Sequence, residues 1–62
     1  MQRNDKLETF LRQHNVKFDY DNNNFHYSIR GKVLMQTFRD LMKFLDEIGN
    51  LLIYVNGDLI IH

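Results

Sequence analysis

The side chains best suited to acid–base or metal chemistry are three histidines, His14, His26 and His62. None lies three or four residues from another, so no two share a helical face at the spacing a zinc site uses. The absence of cysteine removes thiolate nucleophiles, disulfides and cysteine-based metal sites together. Ser28 is the only serine, with no obvious base or oxyanion donor assembled around it. The glycines, Gly31, Gly49 and Gly57, stand apart and form no phosphate-cradling loop. The carboxylates of Asp19, Asp21 and Asp58 can approach one another only if the segments that carry them are neighbours. These residues predict a non-enzymatic chain with no cofactor and no metal. His14 falls at a helix C-terminus, where the dipole favours a cation. His26 is expected to make a weak surface pair with Asp19, and His62, the last residue, to fray.

Composition narrows the class further. The chain has 62 residues, 44% of them apolar, with eight basic and eight acidic residues that cancel. That balance excludes a polyelectrolyte tail, and the aromatic and aliphatic content argues against disorder. The expectation is one small domain, residues 1–62. No apolar run approaches the roughly 18 residues of a membrane span, and the polar start Met1-Gln2-Arg3-Asn4-Asp5 lacks a signal-peptide core. A soluble, cytoplasmic protein is predicted. A domain near this size buries only about 60% of its unfolded surface, and without disulfides association is the natural route to stability. The sequence has no alanine and seven asparagines, a bias that an AT-rich coding sequence would produce.

The elements that position these groups follow from periodicity. Leu7, Phe10 and Leu11 lie at helical spacing within residues 4–14. Asp5 with Glu8 matches a capping box, and Asn15 can close the helix in a left-handed conformation. Residues 16–21 and 25–30 both alternate, separated by Asn22-Asn23-Asn24. A turn centred on Asn22-Asn23 places Tyr20 opposite Phe25, Phe18 opposite Tyr27 and Val16 opposite Ile29, all on one face. The other face then carries Lys17, Asp19, Asp21, His26, Ser28 and Arg30. Residues 32–35 fit either a helix start or a short extended piece. Thr37 with Asp40 matches a second capping box. Phe38, Leu41, Met42, Leu45 and Ile48 continue that helix, with Phe44 widening the stripe, and Gly49 is placed to end it. Asn56-Gly57 between two apolar runs is the strongest short hairpin signal. It pairs Leu52 with Ile61, Tyr54 with Leu59, Ile53 with Ile60 and Val55 with Asp58.

The order is therefore α-β-β-α-β-β, an α+β fold with a four-stranded, mainly antiparallel sheet and both helices on one face. This order resembles a circularly permuted ferredoxin-like fold, which implies a central position for the last strand. The consecutive apolar residues Leu59-Ile60-Ile61 suit such a strand. The two halves also match weakly at an offset of 34 residues: Leu7 with Leu41, Phe10 with Phe44, Leu11 with Leu45, Tyr20 with Tyr54 and Asn22 with Asn56. Any two helix–hairpin units share much of that pattern.

The second hairpin is apolar on both faces. If Leu52, Tyr54, Leu59 and Ile61 face the helices, then Leu51, Ile53, Val55 and Ile60 face away, with too little chain left to cover them. Burying such a side chain is worth about 1.5–3 kcal/mol, a large fraction of the stability of so small a domain. The outer patch of Leu51, Ile53, Val55 and Ile60 is thus expected to be covered by a partner, either a second copy or a larger protein that the chain regulates or inhibits, with cover by residues 32–35 or the N-terminus of the same chain as the competing reading. The alternative is a dimeric nucleic-acid-binding module using Lys17, His26 and Arg30 on the polar sheet face. Against it, the chain carries no net charge to drive counterion release, and its aromatics point away from those cations. An amphipathic membrane helix is not expected, because the first helix has few basic residues on its polar face.

Overall fold

The computed structural model describes all 62 residues. Its elements are α1 (Asp5–Gln13), β1 (Lys17–Asp21), β2 (His26–Arg30), α2 (Met35–Ile48), β3 (Leu52–Val55) and β4 (Asp58–Ile61). The expected α+β order is borne out. The strands form one antiparallel sheet in the order β1-β2-β4-β3. The last strand is central, the position that the permuted ferredoxin-like arrangement requires. No helix is long and apolar enough to cross a membrane.

One core forms between the helices and a single sheet face. Leu7 and Leu11 from α1, Leu41 and Leu45 from α2, and Tyr27, Ile29, Leu59 and Ile61 from the central strands are buried together with Val16. Phe10 and Phe44 close the helix–helix contact as stacked rings 4.8 Å apart. Of the residues matched at the offset of 34, the three helix pairs, Leu7 with Leu41, Phe10 with Phe44 and Leu11 with Leu45, thus occupy equivalent core positions in the two halves. Val33 packs against this same core; residues 32–34 are neither helix nor strand, Leu34 is extended, and Met35 opens α2.

Three local expectations need correction. The N-cap of α1 is Asn4, whose side chain accepts from the Leu7 N–H at 3.1 Å. Glu8 is drawn instead into a buried ion-pair cluster, so the Asp5–Glu8 capping box does not form. α2 begins at Met35, two residues before Thr37, with Leu34 at the cap and no side-chain hydrogen bond there. The Leu34 carbonyl already accepts from the Phe38 N–H at 2.8 Å, which extends the helix backwards.

The first hairpin is paired two residues away from the expected register. Tyr20 faces Tyr27, Phe18 faces Ile29 and Asp21 faces His26. The turn spans four residues, 22–25, because the Asp21 carboxylate binds the Asn23 and Asn24 N–H groups and the Asn24 side chain. A shift of two preserves which face each strand residue occupies. Phe25, however, leaves the strand for a left-handed turn position at φ 55° and is exposed. The second hairpin has the expected register throughout. Asn56 and Gly57 both adopt positive φ, 52° and 85°, as a two-residue turn of this hand demands.

The two edges of the sheet differ. β1 carries Lys17, Asp19 and Asp21 among its five residues. The N-terminal residues cross over its Tyr20, whose hydroxyl donates to the Met1 carbonyl at 2.5 Å, while the Arg3 guanidinium lies over the Tyr20 ring. β3, at the opposite edge, reads Leu-Ile-Tyr-Val and has no charged residue.

Candidate interaction surface

The registers place twelve side chains on the sheet face turned away from the helices. They form three rows across β1, β2, β4 and β3. The first row is Lys17, Arg30, Asp58 and Val55; the second is Asp19, Ser28, Ile60 and Ile53; the third is Asp21, His26, His62 and Leu51. Charge is concentrated at one end of this surface and aliphatic groups at the other.

At the aliphatic end Leu51, Ile53 and Val55 are 68%, 38% and 44% exposed. No segment of the chain covers them. Ile60, expected beside them as a contact residue, is only 6% exposed. It sits on the central strand β4, flanked by Ser28 on one side and Ile53 on the other. Ile60 is therefore a supporting residue under the patch. Tyr54 was expected against the helices and lies on that side of the sheet, but it is 70% exposed. Its counterpart at the offset of 34, Tyr20, is covered by the N-terminal residues. The corresponding residues of the second half are wound into the start of α2, which leaves Tyr54 bare. The exposed apolar surface thus continues around the β3 edge, a feature that side-chain alternation alone does not reveal.

At the polar end Arg30 and His26 face carboxylates, while Lys17 makes no ion pair. Arg30 Nη1 lies 2.5 Å from Asp19 Oδ2, and Asp58 falls in line with Arg30 one residue beyond the last paired position, Ile29–Leu59. His26 pairs with Asp21, not Asp19, with Nε2 3.7 Å from Oδ2. Hydrogen bonds from the Asn24 side chain and from the Asn23 and Asn24 N–H groups hold the Asp21 carboxyl below its usual range. His62 does not fray: its main chain exchanges both hydrogen bonds with Leu51, and its ring meets that of His26 edge-on at 5.3 Å. The His26 Nδ1 is buried without a hydrogen-bond partner. His14 ends α1, its Nδ1 2.8 Å from the Phe10 carbonyl and its ring stacked on Phe10. No group of three or more histidine, aspartate or glutamate side chains comes together at metal-binding distances.

The one buried charged side chain is Glu8, which the spacing had suggested as a capping residue. Its Oε1 accepts from Arg3 at 2.6 Å and Arg12 at 3.1 Å; its Oε2 accepts from Arg3 at 2.9 Å and the Tyr27 hydroxyl at 2.6 Å. The Tyr27 oxygen accepts in turn from the Asn4 N–H at 2.8 Å. The Arg3 hydrogen bonds, aided by Tyr27, hold the Glu8 pKa down at about 2 against the opposing effect of burial. Burial and the Glu8 hydrogen bond push Tyr27 up to about 12. A carboxylate pinned in its ionised form, with both oxygens occupied, is built for structure rather than proton transfer. The only sequence signal for it was a buried-register tyrosine whose hydroxyl needed a partner.

No protein-family model, curated protein or solved structure matches this chain.

Proposed function

We propose that this chain is a small, non-enzymatic protein-interaction module that docks through its C-terminal hairpin, either on a second copy or on a larger protein that it regulates or inhibits. The observation that carries this reading is the uncovered run Leu51, Ile53, Tyr54 and Val55, which has no charge within it. Contiguous apolar surface on a small protein marks a contact site. Covering each aliphatic group contributes about 1.5–3 kcal/mol, enough for a few side chains to hold a complex.

The test is Ile53→Lys, because Ile53 points outward and its side chain is not part of the core cluster. The variant should keep its circular dichroism spectrum and lose self-association or partner capture by at least tenfold, about 1.4 kcal/mol. Equal association by wild type and Ile53→Lys would falsify the reading. Ile60→Asp is unsuited to this test, since it buries a charge and probes folding instead.

The nucleic-acid alternative through Lys17, His26 and Arg30 draws less support. Arg30 is held by Asp19, and Asp21 lies beside His26, so carboxylates interrupt the basic footprint such a surface needs. Retention on heparin at low salt, weakened by removing Lys17 and Arg30, is the result that would revive it.

A further inference from the structure

We propose that the occupant of the exposed hairpin is a second copy of this chain, joined through the free edge of β3 in antiparallel pairing to make one eight-stranded sheet. This rests on the interaction reading above and adds to it the partner, the geometry and the register. Leu51 and His62 exchange both main-chain hydrogen bonds. Because such pairs alternate along an antiparallel ladder, Ile53 and Val55 also direct their main-chain groups toward β4. Leu52 and Tyr54 therefore direct theirs away from it. β3 is an edge strand, so these two N–H and two C=O groups have no partner strand. An uncharged edge with open main-chain groups is a template for another strand.

The side chains select the second copy and fix its register. When Ile53 meets Ile53 of the second copy across a twofold axis, Leu52 exchanges hydrogen bonds with Tyr54 of the other chain, and the reverse. All the outward groups of Leu52 and Tyr54 are then used. On the outer face Leu51 meets Val55 of the second copy; on the helix side Leu52 meets Tyr54. Every residue from Leu51 to Val55 finds an apolar partner, and no like charges face each other. A slip of two residues either way sets Leu52 against Asn56 or Tyr54 against Asn50, and wastes contacts at both ends. A four-residue edge buries less than the roughly 800 Å² per partner of a standard interface, so the dimer forms in the micromolar-to-millimolar range.

Sedimentation equilibrium of the intact chain across that range, with three sets of variants, tests the geometry. Tyr54→Pro deletes an outward N–H and leaves the β3–β4 ladder intact, a place where an edge strand tolerates proline. It removes two hydrogen bonds per dimer and should weaken association at least about tenfold. The chain has no cysteine, so single-cysteine variants report cleanly. Ile53→Cys should cross-link to itself under oxidised glutathione, because facing residues of this type have Cα atoms about 4.5 Å apart, within disulfide reach. Leu52→Cys mixed with Tyr54→Cys should give the mixed dimer, while Tyr54→Cys alone should give none. If Tyr54→Pro fails to fold, the cross-linking pattern decides. A dimer that survives Tyr54→Pro but is lost in Ile53→Lys packs face to face; that overturns edge pairing and leaves the interaction reading standing. A wild-type monomer at millimolar concentration also overturns the inference. The interaction reading falls with it only if Ile53→Lys changes no binding to any other protein.

Discussion

Glu8 is the residue on which acid stability turns. Folding lowers its pKa from the ordinary carboxylate range to about 2, chiefly through Arg3. The unfolded chain therefore takes up the Glu8 proton first as pH falls. The stabilisation is complete above the unfolded value, near pH 4.3, and is lost progressively as pH approaches 2. Urea denaturation of wild type should show a loss on the order of 2–3 kcal/mol across that window. Glu8→Gln should start less stable at pH 7 and lose less on acidification. A wild-type profile as flat as that of Glu8→Gln would show that the cluster contributes nothing to acid sensitivity. Phe25 carries the opposite kind of prediction. It holds a left-handed conformation that costs a non-glycine residue roughly 1–2 kcal/mol, yet its ring is exposed and lies outside the core. Phe25→Asn should raise the stability measured by thermal melting by about 0.5–1 kcal/mol.

Among the elements, α2 is the one with an uncapped start. Leu34 is the N-cap, is exposed, and supplies no side-chain acceptor to the first turn, which also lacks an acidic residue. Leu34→Asp should add about 1 kcal/mol of stability, read as a higher urea midpoint with an unchanged slope. The two hairpins show what local sequence can and cannot decide. Asn56-Gly57 admits one two-residue turn of the required hand, so the register of β3 and β4 was legible from the residues alone. Asn22-Asn23-Asn24 admits several, and both candidate registers keep Phe18, Tyr20, Tyr27 and Ile29 on the core side. The choice falls to the Asp21 carboxylate and the hydrogen bonds it gathers across the turn. The start of α2 was misplaced for a related reason: Thr37-Asp40 has the cap spacing, but a helix can begin wherever the preceding carbonyl is placed to accept.

At the scale of the whole molecule, layer order and the central place of β4 were legible because apolar periodicity and the consecutive apolar run in β4 constrain them together. The burial of Ile60 and the exposure of Tyr54 were not, since both depend on which neighbours crowd a position in three dimensions. Of the four residues expected on the outer patch, three are exposed and Ile60 is buried, and the continuation of bare apolar surface to Tyr54 at the edge was not legible. Its consequence for stability is measurable. If folding and pairing are linked, the wild-type melting temperature should rise between about 10 µM and 1 mM protein, while that of Tyr54→Pro stays constant. Superimposable wild-type melts over that range would separate pairing from folding stability.

The unlike margins of the sheet also set how far assembly can proceed. A molecule adhesive along both β1 and β3 would add copies head to tail, and nothing in its geometry would stop the resulting filament. Here Lys17, Asp19 and Asp21 make the β1 margin a poor acceptor for an uncharged strand. In the proposed dimer, joining two β3 margins would use up the one uncharged margin on each molecule. Growth of the proposed dimer would then halt at two, with a charged border outermost on either flank, so the asymmetry that would permit pairing would also keep such an assembly from polymerising.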